Sequence, residues 1–481
     1  MSAQRVRSSL GRPRERGPGS RLRGAIDRLA SSSPARFAIV VFTTLIAVET
    51  LLLSLPIAAR DGKATPFADA LFTAVSTICV TGLTTVDMAT HWSTFGNVVI
   101  LVGLQVGGIG VLTLASIMGL IVSRRLGLRQ RLLAASDTNL SRVHHGPVIE
   151  AQAVRLGEIG GLLATVAASA LIIELALTAL ITPRLLLEGF ELWPAIWQGF
   201  YFAASAFTNT GFSPLPDGLA AFALDPWMLS VIAVGVFLGA LGFPVIFTLA
   251  RHWRRPRRWP VHAKLTLTVT TGLIVLGGLA FWALEAGNRS TLGGHEGVSQ
   301  PLTALFMSVM TRSGGFATID VNSMNGSSLL VADMLMFVGG GSASTAGGIK
   351  VTTLAVLFLA AFAEARGYTD MQAFERRIPV DVLRLSVSVV LWGATIVASA
   401  SIALLQLTGE PLDRVLFDVI SAFATCGLST GLANELSDPG KYVLSATMWA
   451  GRVGTVTLAA ALAAQQRRQL FRRAEERPIV G

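Results

Sequence analysis

Four short segments of the chain repeat one order of residue types: CVTGLTT around Gly82, TNTGFSP around Gly211, RSGGFAT around Gly315 and ATCGLST around Gly427. Each is small and polar, and only Arg312 in the third carries a charge. Side chains of this kind do no hydrolytic or nucleophilic work; what they expose is backbone. Successive carbonyl groups aimed at one axis can replace the water around a dehydrated cation. Glycine is needed because the dihedrals that aim them inward disfavour a side chain. The candidate lining is Val80, Thr81 and Gly82; Asn209, Thr210 and Gly211; Ser313, Gly314 and Gly315; and Thr425, Cys426 and Gly427. Without carboxylates it favours a monovalent cation over Ca²⁺ or Mg²⁺. Cys79 and Cys426 are read as small neighbours of the glycines, and His144–His145 lies in a basic loop without a cluster of other ligands.

The elements that would hold these segments follow from their flanks. Pro66, Pro194, Pro301 and Pro411 precede the glycines by 16, 17, 14 and 16 residues, with an apolar stretch between. Proline suits the first turn of a helix, where its missing N–H has no intrahelical partner. Each copy therefore predicts a helix of ten or eleven residues, about 16 Å long, which is roughly half the hydrocarbon thickness. A helix that stops midway leaves irregular backbone at membrane depth, tolerated only inside protein or beside a wet cavity. Its C-terminal end carries partial negative charge toward a cation. Ser76, Ser205 and Ser421 each stand six residues before their glycine, and the period is 129, 104 and 112 residues. Asp87, Asp217 and Asp320 follow their glycines by five, six and five residues, whereas the fourth copy has Leu432 there. They are either a cation-concentrating outer vestibule or solvated loop carboxylates and helix caps.

Composition supplies the surrounding solvent. With 52% apolar and 14% charged residues in 481, and two cysteines, disorder and a disulfide scaffold are excluded and a polytopic membrane protein is indicated. Eight spans are read at Phe37–Ile57, Val98–Val122, Ile159–Ile181, Trp227–Ala250, Leu265–Leu284, Leu329–Ala363, Val380–Leu407 and Tyr442–Ala464. The first is too long, and its Arg-rich leader too extended, for a signal peptide. Of the 39 basic residues, 30 fall in Met1–Arg36, Arg124–Arg155, Arg251–Lys264, Arg366–Arg384 and the tail from Arg467, which recur after every second span. The positive-inside rule places these segments and both termini in the cytoplasm. They lack the aromatic interleaving of a nucleic-acid surface, so no nucleic acid is expected.

The span Leu329–Ala363 contains Gly339, Gly340, Gly341, Ser342, Ala343, Ser344, Thr345, Ala346, Gly347 and Gly348. Each glycine costs a helix about 1 kcal/mol relative to Ala, so the middle should unwind; a small-residue seam for close packing is the alternative. The spacing to Lys350 fails the phosphate-binding pattern, so no nucleotide is expected on this chain. Lys350 is read as the cytoplasmic end of the broken span. Gly107 and Gly108, Gly239 and Gly242, and Gly451 and Gly454 in the other second spans are read as bends or close-packing positions. Arg452, inside the last span, needs a partner or water, and Glu49 and Glu174 are the carboxylates within other spans that could provide one.

These segments, together with LQVGGIGVLTLAS (Leu104–Ser116), GGGSASTAGGIK (Gly339–Lys350) and GRVGTVTL (Gly451–Leu458), resemble the ion-conducting subunit of the Trk/Ktr/HKT potassium transporter superfamily, Ktr-type branch, over about Phe37 to Gly481. The resemblance implies an all-α membrane protein with four membrane–pore-loop–membrane repeats around one pore, at 37–123, 156–250, 263–363 and 380–465, between a basic arm, 1–36, and a cytoplasmic tail, 466–481. It implies K⁺ as the transported ion, since glycine fills all four filter positions, and an intramembrane gating loop at Gly339–Gly348 against which Arg452 rests. It also implies a homodimer in a bacterial inner membrane, seated on a cytosolic RCK-type regulatory ring that carries the nucleotide. A Na⁺- or H⁺-coupled symporter on the same scaffold is the alternative. A membrane enzyme acting on lipid-linked substrates lacks the carboxylate or His cluster it would need.

Overall fold

The computed structural model describes residues 34–110, 112, 156–216, 218–295 and 297–454. The described residues begin with α1 (Pro34–Leu53), the short helix α2 (Phe67–Ile78) and α3 (Thr94–Gly110). A second set follows: α4 (Leu156–Leu187), α5 (Leu192–Thr208), α6 (Pro226–Leu241) and α7 (Phe243–His252). The third is α8 (Val261–Glu285), α9 (Ser299–Met310), α10 (Gly326–Val338) and α11 (Val351–Ala365). The fourth is α12 (Val380–Thr408), α13 (Leu412–Ala424), the single turn α14 (Leu432–Glu435) and α15 (Asp438–Trp449), which ends in a π-helical turn, Ala450–Gly454.

The proline logic holds with one difference of length. Pro66 and Pro411 cap α2 and α13, with φ −51° and −60°, and Pro194 and Pro301 sit at the third position of α5 and α9. Helices α2, α9 and α13 have 12, 12 and 13 residues, but α5 has 17 and reaches about 26 Å. All four bury their last five residues; Ala203 to Thr208 and Val419 to Ala424 are buried without exception.

Among the described residues, three helices are long and apolar enough to cross a membrane: Ala164–Leu187, Val261–Glu285 and Val380–Thr408. Their outward faces expose Ile172, Leu276 and Leu391, each more than 60% accessible, which only an apolar solvent accommodates without cost. The stretch read as one span at Trp227–Ala250, with Gly239 and Gly242 as bends or close-packing positions, is bent by 103° between α6 and α7. Gly242 at φ +87° ends α6, and Pro244 starts α7; a Cβ on Gly242 would lie 2.7 Å from the carbonyl oxygens of Ser342 and Ala343. The bend thus makes room for the unwound segment of the third set. That segment separates α10 from α11, as its glycines require, and it contains three left-handed residues, Gly339, Ala343 and Gly348. The parts of Val98–Val122 and Tyr442–Ala464 past Leu112 and Gly454 lie outside the described residues.

The expectation of an all-α chain needs one correction. Met371–Ala373 and Arg376–Ile378 form an antiparallel hairpin, with Met371 opposite Ile378. Its two turn residues, Phe374 and Glu375, have φ +47° and +64°, the left-handed pair that such a tight turn demands. Phe-Glu carries none of the usual turn signal, and three-residue strands are too short for alternation to show.

Glycines set how closely the helices approach. A Cβ on Gly107 would fall 2.3 Å from Ile78 O, one on Gly239 2.0 Å from Phe207 O, and one on Gly451 1.9 Å from Phe423 O. Ile78, Phe207 and Phe423 each stand four residues before their repeat's glycine, so three sets share one packing contact. We predict that Gly107→Ala destabilises the fold. Overpacking against rigid backbone costs about 1–3 kcal/mol, which outweighs the roughly 1 kcal/mol that Ala gains in a helix. Thermal unfolding of the solubilised protein should shift down by several degrees; an unchanged midpoint would refute the contact.

Candidate ion-conducting site

The four glycine segments meet at one place. A Cβ built on Gly82 would lie 1.8 Å from Thr210 O and 3.4 Å from Gly427 Cα. One on Gly211 would lie 2.6 Å from Gly315 Cα, one on Gly315 2.7 Å from Cys426 O, and one on Gly427 2.3 Å from Thr81 O and 3.2 Å from Gly315 Cα. Segments separated by more than a hundred residues therefore touch through backbone alone. Each repeats the same dihedral pattern. Val80, Asn209, Ser313 and Thr425 are left-handed at φ +57°, +61°, +83° and +48°, and two residues later Gly82, Gly211, Gly315 and Gly427 are left-handed again at +93°, +86°, +74° and +94°. Alternating handedness keeps successive carbonyls on one side of the chain, and four strained non-glycine residues at equivalent places mark a functional constraint.

The carbonyls facing neighbouring glycines are those of Thr81, Thr210, Gly314 and Cys426, one from each segment at the same register. The residues before each glycine are buried, whereas all four glycines are half-buried. On one side Gly82 and Gly211 open into a cavity of about 550 Å³, lined also by Thr85, Asp87, Ser213 and Asn434.

The serine six residues upstream has a definite task in two copies. Ser76 O accepts from Thr81 N at 2.7 Å and its hydroxyl accepts from Gly82 N at 3.1 Å; Ser421 repeats both contacts with Cys426 N and Gly427 N at 2.8 and 3.1 Å. Ser205 O accepts from Thr210 N at 2.9 Å, but its hydroxyl has no partner among the described residues. These bonds tie each irregular segment to the helix that precedes it.

The acidic residues divide. Asp87 lines the outer cavity and is exposed, and its Oδ1 also accepts from Ala89 N at 2.8 Å. Asp320 is exposed and caps a short turn, accepting from Asn322 N at 3.1 Å and Ser323 Oγ at 2.5 Å. Asp217 lies outside the described residues, and Leu432 is buried. Nearby, Arg414 binds Glu410 and Glu435, each at 2.9 Å, and its guanidinium holds the exposed Glu435 carboxyl below its ordinary range.

On the inner side, the Gly339–Gly348 segment meets the inner ends of the second, third and fourth segments. Gly347 N donates to Ser313 Oγ at 3.2 Å, and Ser313 Oγ donates to Thr425 O at 2.7 Å, so one hydroxyl links two segments to the loop. Thr345 Oγ1 donates to Phe207 O at 3.1 Å, and the Asn209 amide, turned so that its nitrogen donates, reaches Phe207 O, Val236 O and Thr345 Oγ1 at 3.1–3.2 Å. A Cβ on Gly347 would fall 2.1 Å from Thr425 Oγ1, and one on Gly108 3.8 Å from Thr345 Cγ2. Arg452, 3% exposed in the π-helical turn, donates from Nη1 to Thr345 O rather than to a carboxylate.

Lys350 does not mark the end of its span. Its ammonium turns back to Ala346 O at 2.6 Å and Gly347 O at 3.3 Å, and 15 residues of α11 follow it. Glu174 Oε2 accepts from Gln105 at 2.5 Å, and the Glu49 carboxyl fills the notch left by Gly103. Neither glutamate is paired with Arg452. The bridging hydroxyls of Ser313 and Thr345 escaped the sequence reading, because spacing along one segment carries no information about contacts to another.

Comparison with known proteins identifies the family. A family profile described as "TrkH: Cation transport protein" matches residues 27–469. The chain is 34% identical over 443 residues to Ktr system potassium uptake protein B of Vibrio alginolyticus, covering 92% of this chain and 93% of that one. It is also 34% identical over 456 residues to Ktr system potassium uptake protein D of Bacillus subtilis, covering 93% and 97%. In fold it is similar to the crystal structure of the potassium transporter TrkH from Vibrio parahaemolyticus, with TM-score 0.63 and 18% identity, over 88% of this chain and 83% of that one. Converging glycine segments, apolar helices and a match across nearly the whole length lead to one conclusion: the chain belongs to the TrkH family of cation transport proteins, and within it is of the Ktr type.

Proposed function

We propose that this chain takes up K⁺ across a membrane through the ring formed at Gly82, Gly211, Gly315 and Gly427, and that the Gly339–Gly348 segment is its gate. The observation that carries the reading is the mutual contact of four left-handed glycines, with one carbonyl from each repeat facing them. Oxygen rings of this kind replace hydration water, and the C-terminal ends of α2, α5, α9 and α13 add partial negative charge. The 34% identical relatives are named potassium uptake proteins, which supports K⁺ as the cargo. Entry is driven by the membrane potential, about 2.3 kcal/mol per charge per 100 mV.

The finer features belong to the same proposal. Four membrane–pore-loop–membrane repeats surround one pore, Asp87 attracts cations at its mouth, and Arg452 holds the gate through Thr345 O. The protein sits in a bacterial inner membrane with its basic segments inside, as a homodimer on an RCK-type ring that binds the nucleotide. Purified chain in proteoliposomes, with an inside-negative potential, should accumulate K⁺ in preference to Na⁺. Equal uptake of both ions, or none of either, would overturn the reading; K⁺ uptake that stops without a Na⁺ or proton gradient would convert it to symport.

A further inference from the structure

Just outside the glycine ring, two of the four segments are tied to their own half-length helix by a buried carboxylate. Asp418, nine residues before Gly427 on α13, is fully buried. Its Oδ1 accepts from Ser429 Oγ at 2.5 Å, and its Oδ2 accepts from Thr430 N at 3.0 Å and Thr430 Oγ1 at 2.6 Å. Asp69, thirteen residues before Gly82 on α2, is 8% exposed. Its Oδ1 accepts from Thr85 Oγ1 at 2.6 Å and pairs with Lys441 at 2.7 Å, so the first repeat is also bound to α15 of the fourth.

The two ties share one register. Thr85 and Thr430 each stand three residues after their glycine. Asp69 and Asp418 differ by four positions relative to that glycine, which is about one helical turn on the same face. The second repeat lacks both halves, and the third lacks the carboxylate but keeps the threonine, Thr318, whose hydroxyl has no partner among the described residues. At the positions of Asp69 and Asp418 they have Gln198 and Phe202, and Leu302 and Phe306; three residues after the glycine they have Pro214 and Thr318. There the packing is apolar, with the Phe202 and Phe316 rings 6.1 Å apart.

We propose that Asp418, with Asp69 as its counterpart, is a positioning residue for ion selectivity. This rests on the reading of the glycine ring as a K⁺ filter. Discrimination against the smaller Na⁺ requires that the ring not contract around it. The carbonyls one residue before Gly82 and Gly427 are fixed from the inside by Ser76 and Ser421. From the outside they are fixed by the irregular segments that Asp69 and Asp418 anchor. Bonds from hydroxyl and amide donors to a buried carboxylate are charge-assisted and short, and loss of the acceptor leaves Ser429 and Thr430 donors without a partner away from water.

The test is a set of K⁺ and Na⁺ flux measurements in proteoliposomes on the full chain, with Asp418→Asn, Thr430→Val and the double variant. Asparagine keeps the shape but turns an NH₂ group toward a hydroxyl or amide donor. Asp418→Asn should lower the K⁺ over Na⁺ ratio at least tenfold, Thr430→Val should lower it severalfold, and the double variant should lose little more than Asp418→Asn alone, because the two act through one contact. Thr430→Val preserves volume and decides the matter if Asp418→Asn does not insert. An unchanged ratio in Thr430→Val, or a lower total flux or melting temperature at constant ratio, would overturn the inference and leave a merely structural tie. Absence of K⁺-selective flux in the unsubstituted protein would instead defeat the filter reading itself.

Discussion

Gly82→Ala should abolish K⁺ uptake, with a fall of at least about a hundredfold, roughly 2.7 kcal/mol. Two costs act together at this residue. Its φ of +93° is one that a side chain disfavours, by about 1–2 kcal/mol in left-handed backbone. The added methyl would also stand 1.8 Å from Thr210 O, a carbonyl of a different repeat. That oxygen cannot yield as a flexible side chain would, so either it turns away from the ring or the first segment withdraws. Each outcome removes an oxygen from the proposed site of ion dehydration. Gly62→Ala separates the two costs. Gly62 has φ +70° with nothing within 4 Å of a Cβ, so it carries the backbone penalty without the collision. Uptake should survive there. If Gly82→Ala and Gly62→Ala reduce uptake equally, the loss reflects general backbone strain and the meeting of the four segments is not the conducting site.

The recurrence of proline, half-length helix and glycine made the four segments legible, because all three are properties of residues near one another in the chain. Left-handed glycine was foreseeable for the same reason. Left-handed Val80, Asn209, Ser313 and Thr425 were not. No propensity favours a β-branched valine at φ +57°, and only the surrounding contacts hold it there. The unwound segment after Val338 was announced by its glycines, whereas at Gly242 the sequence offered a bend or a close-packing position without choosing between them. One glycine in an apolar helix is ordinary, and it becomes a corner here because the Ser342 and Ala343 carbonyls occupy the space beyond it. Lys350 shows the opposite error. A lysine near an apolar stretch suggests the membrane edge, but four carbons of reach let its ammonium turn back to loop carbonyls. The acidic residues after the glycines were the weakest signal. Asp87 faces the outer cavity, whereas Asp320 caps a turn, and spacing from the glycine cannot tell these fates apart.

Replacing Arg452 should have the opposite sign to every filter substitution. Arg452→Gln is expected to raise K⁺ uptake by the chain alone about tenfold or more while leaving its preference over Na⁺ intact. The guanidinium bonds Thr345 O, and Thr345 in turn bonds Phe207 O beside Asn209 of the second segment. A hydrogen bond from a charged donor is worth about 1.5–3 kcal/mol, so its loss shifts a closed-to-open equilibrium by about tenfold to a hundredfold. A second effect points the same way, since a buried positive charge beside the proposed ion path would repel a passing cation. Arg452→Lys distinguishes the two: it keeps the charge but loses the planar fork and some of the reach. If the hydrogen bond dominates, Lys should release the gate nearly as well as Gln; if repulsion dominates, Lys should remain close to the unsubstituted protein. Uptake that stays level or falls in Arg452→Gln, in protein that remains folded and K⁺-selective, would show that the Gly339–Gly348 segment is a fixed part of the wall. The π-helical turn at Ala450–Gly454 argues for motion, because an extra residue in a helical turn often marks a functional site. Here it brings a long cationic side chain onto a loop whose backbone has few side chains to hold it.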